Sequence, residues 1–393
     1  MTPVSAGPPI MQKWLLPEYI DDILPAEAGR VERLRRRLLD LFAAWGYELV
    51  VPPMLEYLDS LLTGTGHDLD LKTFKLVDQL SGRLLGLRAD ITPQAARIDA
   101  HLLNRQGVTR LCYAGTVLHT QPSGLMRTRE PLQIGAEIYG HAGPESDVEI
   151  QALMLASLRA AGVAGVHLDL GHVAVFRSLI TRAGLDAARE SELFQVLQAK
   201  DVAALRELSS GLDARTREAL LLLPELYGGP EVLETARRRL PPYPELSACL
   251  DLLQHIGRQL NGDAGELCYD LAELRGYHYH SGIVFAAYAG GRPEAIVRGG
   301  RYDEVGRAFG RARPATGFTM DLRELAAMGN GVVKARRVLA PYLPADKALQ
   351  AEIARLRADG AVVIVDLPGH EVSRAELACD TLLVQRNGAW TQE

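Results

Sequence analysis

The sequence lacks the features of several broad protein classes. Its 393 residues include only four cysteines, which are far apart and form neither a Cys-x-x-Cys pair nor a cluster with histidine at zinc spacing: Cys112, Cys249, Cys268 and Cys379. No apolar run approaches the length of a membrane-spanning helix. The N-terminal segment lacks the basic start and apolar centre of a secretory signal. We therefore expect free thiols, no metal site, no membrane and a cytoplasmic protein.

An excess of positive charge is also missing. Lys and Arg number 43 against 49 Asp and Glu, giving a net charge of -6, so there is no simple electrostatic case for a dedicated nucleic-acid or membrane-surface binder. The G-x-x-x-x-G-K-[ST] loop and a strand-linked G-x-G-x-x-G loop are absent, as are H-E-x-x-H and G-x-S-x-G. The sequence predicts no cofactor and no nucleic-acid partner.

The composition, 47% hydrophobic and 23% charged, is typical of a folded protein, and the length favours two or three domains. Between about residues 187 and 260, helical periodicity rich in Leu, Ala, Glu and Arg replaces strand signals altogether. We therefore expect a body formed by residues 1–186 and 262–328, with a helical insertion over 187–261. Alternating strand and helix patterns predict a small C-terminal α/β domain over 332–393.

Local patterns predict the elements of the body and of the C-terminal domain. Helices are predicted at 24–46, 92–103, 144–161, 321–328 and 347–357. Strands are predicted at 47–51, 73–77, 83–88, 111–118, 133–139, 166–170, 268–271, 281–288, 337–339, 361–365 and 381–384. The stretch that follows Tyr288, GGRPEAIVRGGRYD, is interpreted as turn-rich.

Polar residues concentrate in four segments, at 87–94, 126–137, 274–282 and 299–303. In the second segment, Gln133, Gly135 and Glu137 share one face of the predicted strand. A sheet face that carries an acid and an amide has either water or a polar ligand above it. Periodicity alone favours the solvated face.

Residues 45–56, WGYELVVPPMLE, resemble motif 1 of the class II aminoacyl-tRNA synthetases, which is used for dimerisation. The other segments resemble one member, histidyl-tRNA synthetase: residues 127–140 are similar to the second half of its motif 2, and residues 274–282 and 299–303 to its two histidine signatures. The similarity spans about residues 12–326. It implies an α+β fold with an antiparallel sheet flanked by helices, and a homodimer.

The positions that such a synthetase uses for ATP are changed. The arginine expected to grip the α-phosphate falls on His119, and its acidic partner two residues later becomes Gln121. The arginine that closes motif 3 falls on Glu324, with Arg323 one residue early, which on a helix turns the side chain about 100 degrees away. The resemblance therefore predicts that adenylation is lost.

The positions of the amino-acid pocket stay suitable for free histidine. By the resemblance, Asp90, Thr92 and Gln133 take the α-ammonium and Arg275 takes the α-carboxylate, with Glu137 and Tyr302 near the imidazole. His280 stands where the family has a tyrosine. The predicted histidine-binding residues are Asp90, Thr92, Arg127, Gln133, Glu137, Arg275, His280 and Tyr302.

A synthetase-like body with a histidine pocket, without its ATP arginines and with a short tail, resembles the regulatory subunits of short-form ATP phosphoribosyltransferase. The resemblance implies a subunit that performs no chemistry, dimerises, joins the short catalytic subunit in a hetero-oligomer at the first step of histidine biosynthesis, and receives L-histidine as a feedback inhibitor. An active histidyl-tRNA synthetase and a synthetase-like sensor of uncharged tRNA are the alternatives.

Overall fold

A computed structural model describes residues 15–64, 67–122, 128–262, 265–329, 336–369 and 371–393. The chain divides into two compact units, Met1–Asn330 and Gly331–Glu393. The separate helical insertion over 187–261 stays a prediction. Within the described ranges, no helix combines the length and apolarity needed to cross a membrane.

The first unit contains helices α1 to α12 and strands β1 to β12. The helices are α1 (Pro25–Ala44), α2 (Leu58–Leu61), α3 (His67–Lys72), α4 (Thr92–Arg97), α5 (Pro144–Ala160), α6 (Ala174–Ala183), α7 (Ala187–Gln198), α8 (Val202–Leu208), α9 (Ala214–Leu222), α10 (Glu231–Arg239), α11 (Pro244–Leu260) and α12 (Leu322–Met328). The strands are β1 (Glu48–Leu49), β2 (Leu55–Tyr57), β3 (Phe74–Val77), β4 (Leu84–Leu87), β5 (Thr109–Thr116), β6 (Leu132–Tyr139), β7 (His167–His172), β8 (Tyr227–Gly228), β9 (Glu266–Asp270), β10 (Ile283–Tyr288), β11 (Val297–Arg301) and β12 (Ala315–Asp321).

A nine-stranded sheet forms the centre of this unit, in the order β1-β5-β6-β12-β11-β10-β7-β9-β8. Its neighbours are antiparallel except for the parallel pairs β1 with β5 and β7 with β9. A separate three-stranded antiparallel sheet has the order β2-β4-β3. The predicted α+β class, a mainly antiparallel sheet flanked by helices, is confirmed.

Helices cover one face of the large sheet because their apolar stripes match it. On α1, Val31, Leu34, Leu38 and Phe42 recur at helical spacing and are buried. They join one core cluster with Ile134, Ile138 and the buried side of α5. Since successive strand residues point to opposite faces, Gln133, Gly135 and Glu137 of β6 are left for the other face.

The structure differs from the predicted elements where glycine or a local helix change hides the pattern. The stretch after Tyr288, interpreted as turns, contains β11, a central strand of the sheet. The predicted helix at 92–103 is α-helical only to Arg97 and continues as a π-helix, Ile98–Leu103, which ends at Asn104 with φ of 46°. The region predicted to be purely helical includes the two-residue strand β8.

The second unit is a small α/β domain with its own core. Its elements are β13 (Arg337–Pro341), α13 (Lys347–Ala358), β14 (Val362–Asp366), β15 (Thr381–Arg386) and β16 (Ala389–Gln392). The sheet order is β14-β13-β15-β16, and β13 is parallel to both β14 and β15. Apolar residues of α13 pack on this sheet in a separate cluster. Strand β16 was not predicted.

Candidate functional site

A cavity of about 150 Å³ lies on the sheet face that the core helices leave uncovered. Strands β6, β11 and β12 form its floor, and the segments after β4 and before β10 supply its walls. The described residues that line it are Asp90, Thr92, Glu137, Tyr279, His280, Arg298, Gly299, Gly300, Tyr302, Gly317, Phe318 and Thr319. Five of the eight predicted histidine-binding residues are in this lining.

Glycine makes room for the polar side chains on this floor. In the antiparallel register, Gly317 of β12 lies opposite Glu137 of β6, and a Cβ added at Gly317 would overlap the Glu137 carboxylate. Gly135 lies opposite Tyr113 of β5, and a Cβ there would meet the tyrosine hydroxyl. The side chains of Glu137 and Tyr113 can therefore lie over the sheet.

Glu137 is a buried acid, with 1% of its surface exposed. Tyr113 donates to its Oε1 at 2.9 Å and Tyr302 donates to its Oε2. Burial raises the pKa of Glu137 to about 8, although the two tyrosine hydrogen bonds favour the charged form. A pKa near 8 leaves this carboxyl group largely protonated at neutral pH.

Asp90, Gln133 and Thr319 form a second polar group at the other end of the cavity. The Gln133 amide donates to Asp90 Oδ1 at 2.7 Å and to Thr319 Oγ1 at 2.8 Å, and its oxygen accepts from the Ile91 N–H at 2.9 Å. Asp90 also accepts from the Thr92 N–H at 3.0 Å. These bonds fix carboxylate, amide and hydroxyl oxygens in one place, which suits an ammonium group.

Aromatic rings close the Glu137 end. Tyr279 stacks on Tyr302 with ring centroids 5.0 Å apart. The His280 ring lies beside Gly300, where an added Cβ would approach its Nδ1 to 2.8 Å. Burial lowers the pKa of His280 to about 4, so its imidazole is neutral at pH 7. Flat, uncharged walls beside a titratable acid suit a small heterocycle.

The solvated face favoured by periodicity alone is wrong. Gln133 and Glu137 are both buried, because the segment that carries Asp90 and Thr92 and the rings of Tyr279 and Tyr302 cover this face. The strand alternation was interpreted correctly, but it cannot show what lies above a face. The burial therefore excludes open solvent above these two side chains, whose polar atoms are hydrogen-bonded within the protein.

The remaining predicted residues lie elsewhere or outside the description. Arg275 does not line the cavity; its guanidinium lies 3.0 Å from a Glu273 carboxylate oxygen and donates to the Tyr288 hydroxyl at 2.8 Å. Gln133 supports the cavity lining through Asp90 and Thr319 and itself borders the adjoining cavity. Arg127 falls outside the described residues.

A second cavity, of about 230 Å³, adjoins the first and shares Asp90, Arg298 and Thr319 with it. His119 and Glu324, the two residues at the predicted ATP positions, both line it. It also contains Gln133, Lys72 and Asp321, and its described lining carries charges of both signs. It is the region where the synthetase resemblance would place ATP.

The residues at the ATP positions are engaged with the protein itself. His119 Nε2 lies 3.0 Å from the Ala89 carbonyl oxygen, and burial lowers the pKa of His119. Arg323, one residue before the expected position, points back to α1 and lies 3.3 Å from Glu27. The arginine is one residue early on the helix, as the sequence shows, so its guanidinium contacts Glu27 and the Glu324 side chain lines the cavity instead.

Sequence analysis did not assign to the site several residues that line the first cavity or contact its lining, among them Tyr279, which stacks on Tyr302. Tyr113, Thr319 and Arg298 contact or line the cavity from β5, β12 and β11. Arg298 and Thr319 are register partners, and Thr319 pairs in turn with Gly135. The signal for them is this cross-strand alignment, which becomes readable only once the strand order is known.

One cluster of metal-ligand types lies on β7 and β9, among residues that do not line either cavity. Ligand atoms of His167, Glu266 and Cys268 all lie within 4.8 Å of one another. His167 is 2.6 Å from Asp169 and 3.1 Å from Glu266, and these carboxylates outweigh the effect of burial and raise the pKa of His167. Both ring nitrogens of His167 thus contact carboxylates, Nε2 that of Asp169 and Nδ1 that of Glu266.

Comparison with known proteins agrees with this description. Residues 19–325 match the family model for histidyl-tRNA synthetase, and residues 335–393 match the model for the ATP phosphoribosyltransferase subunit HisZ C-terminal domain. A solved structure from Bacillus halodurans, described as an ATP phosphoribosyltransferase regulatory subunit/histidyl-tRNA synthetase, is 27% identical with a TM-score of 0.82 over 96% of this chain and 98% of that one. Histidyl-tRNA synthetase from Nostoc, 17% identical, has a TM-score of 0.77 over 95% and 91%, which supports the fold.

Two curated relatives carry the same name over nearly full length. The ATP phosphoribosyltransferase regulatory subunit of Nitrosospira multiformis is 60% identical over 97% of this chain and 98% of its own length. That of Cupriavidus taiwanensis is also 60% identical, over 96% and 98%. The resemblance found in the sequence is thereby confirmed, and the chain belongs to the family of ATP phosphoribosyltransferase regulatory subunits.

Proposed function

We propose that this chain is the non-catalytic regulatory subunit of an ATP phosphoribosyltransferase complex. In this role it binds the short catalytic subunit in the cytoplasm, is required for that subunit's activity at the first step of histidine biosynthesis, and mediates feedback inhibition by histidine. Family membership supports the regulatory role, since relatives at 60% identity carry that name.

The observation that carries the histidine part is the chemistry of the 150 Å³ cavity. Asp90 and Thr92 present oxygens to the α-ammonium at one end, and Gln133 holds the Asp90 carboxylate in place. At the other end, Glu137 and Tyr302 meet the imidazole, beside the neutral ring of His280. A ligand with an ammonium group and an imidazole at opposite ends satisfies both acidic ends of the cavity.

The adjoining cavity supports the absence of adenylation. Adenylation needs guanidinium groups that stabilise negative charge on ATP in the transition state. At the two positions that the resemblance assigns to them, the chain has a histidine bonded to a backbone carbonyl and a glutamate, and Arg323 is directed at Glu27. We propose that the chain performs no aminoacylation.

Inhibition follows if histidine binds one state of the complex more tightly than another, because an effector shifts an equilibrium only by its differential affinity. The regulatory subunit then binds histidine, and the activity of the catalytic subunit changes with the position of that equilibrium.

Reconstitution tests the proposal directly. The catalytic subunit alone is expected to show little phosphoribosyl transfer. Adding this chain should give full activity, and adding L-histidine to the mixture should then reduce it. Catalytic activity that neither this chain nor histidine alters would contradict the regulatory role. As a control for the synthetase alternative, the chain alone should not exchange pyrophosphate into ATP in a histidine-dependent manner.

We propose that the chain forms homodimers within the hetero-oligomer, through the segment that resembles motif 1. This segment leaves apolar side chains in water: Leu49 is 51% exposed and Val51 81% exposed. Strand β1 is also the edge of the nine-stranded sheet. Neighbouring apolar exposure of this kind is typical of an interface between subunits.

The Val51→Asp variant is expected to convert the dimer to monomers, because it would place an unpaired charge in an apolar interface. Light scattering coupled to size exclusion gives the mass of each variant. Val202→Asp, at a 40% exposed position on α8, is the matched control and should stay dimeric. Equal masses for wild type and Val51→Asp would place the interface elsewhere.

A further inference from the structure

The proposed histidine site requires a positive group for the α-carboxylate, which the sequence prediction placed on Arg275. Histidine carries an α-carboxylate, and a buried carboxylate needs a cation or several hydrogen-bond donors. Among the described residues that line the 150 Å³ cavity, Asp90 and Glu137 are acids and His280 is neutral at pH 7. Arg298 is the cationic side chain in that lining.

The sheet register places Arg298 at the end of the cavity that contains Asp90 and Thr319. Arg298 of β11 lies directly opposite Thr319 of β12, so their Cβ atoms are about 4.5–5.5 Å apart. Thr319 accepts the hydrogen bond from Gln133, which also bonds Asp90. Since the ammonium and carboxylate of an amino acid share one carbon, the cation must stand next to the ammonium group's oxygens. Arg298 does.

Arg275 meets neither condition. It does not line the cavity, and its guanidinium is held by the Glu273 carboxylate and the Tyr288 hydroxyl. Tyr288 is at the end of β10 and pairs with His167, whereas Gly299 and Gly300 of the cavity floor pair with Phe285 and Val284, further back on β10. Moving Arg275 to the ligand would break both of its contacts.

We infer that Arg298 binds the α-carboxylate of histidine and that Arg275 does not. The inference rests on the proposed histidine site. With the imidazole at Glu137 and the ammonium at Asp90, the carboxylate faces the junction of the two cavities, and Arg298 lines both. A planar guanidinium binds a carboxylate through two parallel hydrogen bonds, which also fixes the orientation of the amino acid.

The test is calorimetric titration of the full chain with L-histidine and with L-histidinol, in which a hydroxymethyl group replaces the carboxylate. Wild type should prefer histidine over histidinol by about 10- to 100-fold, the value of a charged hydrogen-bonded pair. Arg298→Ala should lose most of that preference by weakening histidine alone, and Arg298→Lys should restore part of it. Arg275→Ala, the matched control, should change histidine affinity less than about threefold, since it lies outside the lining.

The possible outcomes distinguish a failure of this inference from a failure of the proposed histidine site. If wild type binds histidine and Arg298→Ala keeps the full preference over histidinol, the inference is overturned and the histidine site stands. Loss of histidine binding in Arg275→Ala alone has the same meaning. If wild type does not bind histidine at all, both the proposed site and the role of Arg298 are overturned.

Discussion

Replacing Glu137 by Gln should weaken L-histidine binding by about 10- to 100-fold. The substitution keeps the shape of the side chain but removes the acid that meets the imidazole, and Tyr113 and Tyr302 then face an amide. Titration calorimetry measures the loss. Glu145→Gln, at an exposed position in the first turn of α5, removes the same charge outside the cavity and should bind histidine like wild type.

The pH dependence of binding identifies the group responsible. We expect the complex to share one proton between Glu137 and the imidazole. Below about pH 6.5, free imidazole and Glu137 are both protonated, so binding must release a proton. Above about pH 8, Glu137 is ionised in the empty site and binding must take a proton up. Affinity should therefore be greatest between these values, and Glu137→Gln should lack the decline that begins near pH 8.

The same variant should be more stable than wild type at pH 8 without ligand. The folded-state pKa of Glu137, about 8, lies above its usual 4.5, so its contribution to stability is present below about pH 4.5 and is lost as the pH rises towards 8. A Gln does not ionise and avoids this loss, which is expected to raise the Tm by a few degrees. Weaker binding together with a lower Tm would instead indicate a misfolded site.

Replacing Arg301 by Leu should lower the free energy of unfolding by about 3–5 kcal/mol, the cost of leaving a buried charge without its partner. Arg301 is 6% exposed and its guanidinium lies 3.0 Å from Asp147 on α5. It also donates to Ser146 Oγ at 2.9 Å and to the carbonyl oxygens of His141 and Gly143 at 3.1 and 3.2 Å. The arginine thus ties the end of β11, next to Tyr302, to the start of α5.

Chemical denaturation measures the loss, with Arg307→Leu as the matched control. Arg307 pairs with Glu304 at 2.6 Å, but both side chains are more than half exposed, so its removal should change stability by less than about 0.5 kcal/mol. Adding Asp147→Asn to Arg301→Leu should recover part of the stability, because the stranded charge is then gone. Similar denaturation midpoints for Arg301→Leu and wild type would contradict the role given to this pair.

Local patterns predicted most of the framework because apolar spacing follows burial. The stripe on α1 and the alternation in β6 are clear in the sequence, and both pack as that spacing requires. The motifs similar to histidyl-tRNA synthetase identified Asp90, Thr92, Glu137, His280 and Tyr302, which the structure brings to one cavity. In these regions local preference and tertiary packing agree.

The sequence predictions failed at β11 and at Arg298, where packing around the cavity and not local secondary-structure preference explains the residue present. Strand β11 was missed because Gly299 and Gly300 read as turn residues, yet a Cβ at Gly300 would meet the His280 ring and one at Gly299 the Phe285 ring. Glycine at these two positions leaves room for the rings of His280 and Phe285 against the strand. Arg298 was missed for a related reason: its neighbours in space are set by the pairing of β11 with β12.

The strand order also has a consequence for how the protein is made. Strand β6 pairs with β12, which leaves the ribosome only after helices α7 to α11 have been synthesised. Until then β6 is an open edge, and such an edge in a nascent chain invites pairing with other chains. Gln133 and Glu137 place an amide and a carboxylate on that edge while it is still in water, where the acid is ionised. Because an inward-pointing charge on an edge strand opposes pairing with other chains, we expect Glu137 also to limit aggregation of the unfinished chain.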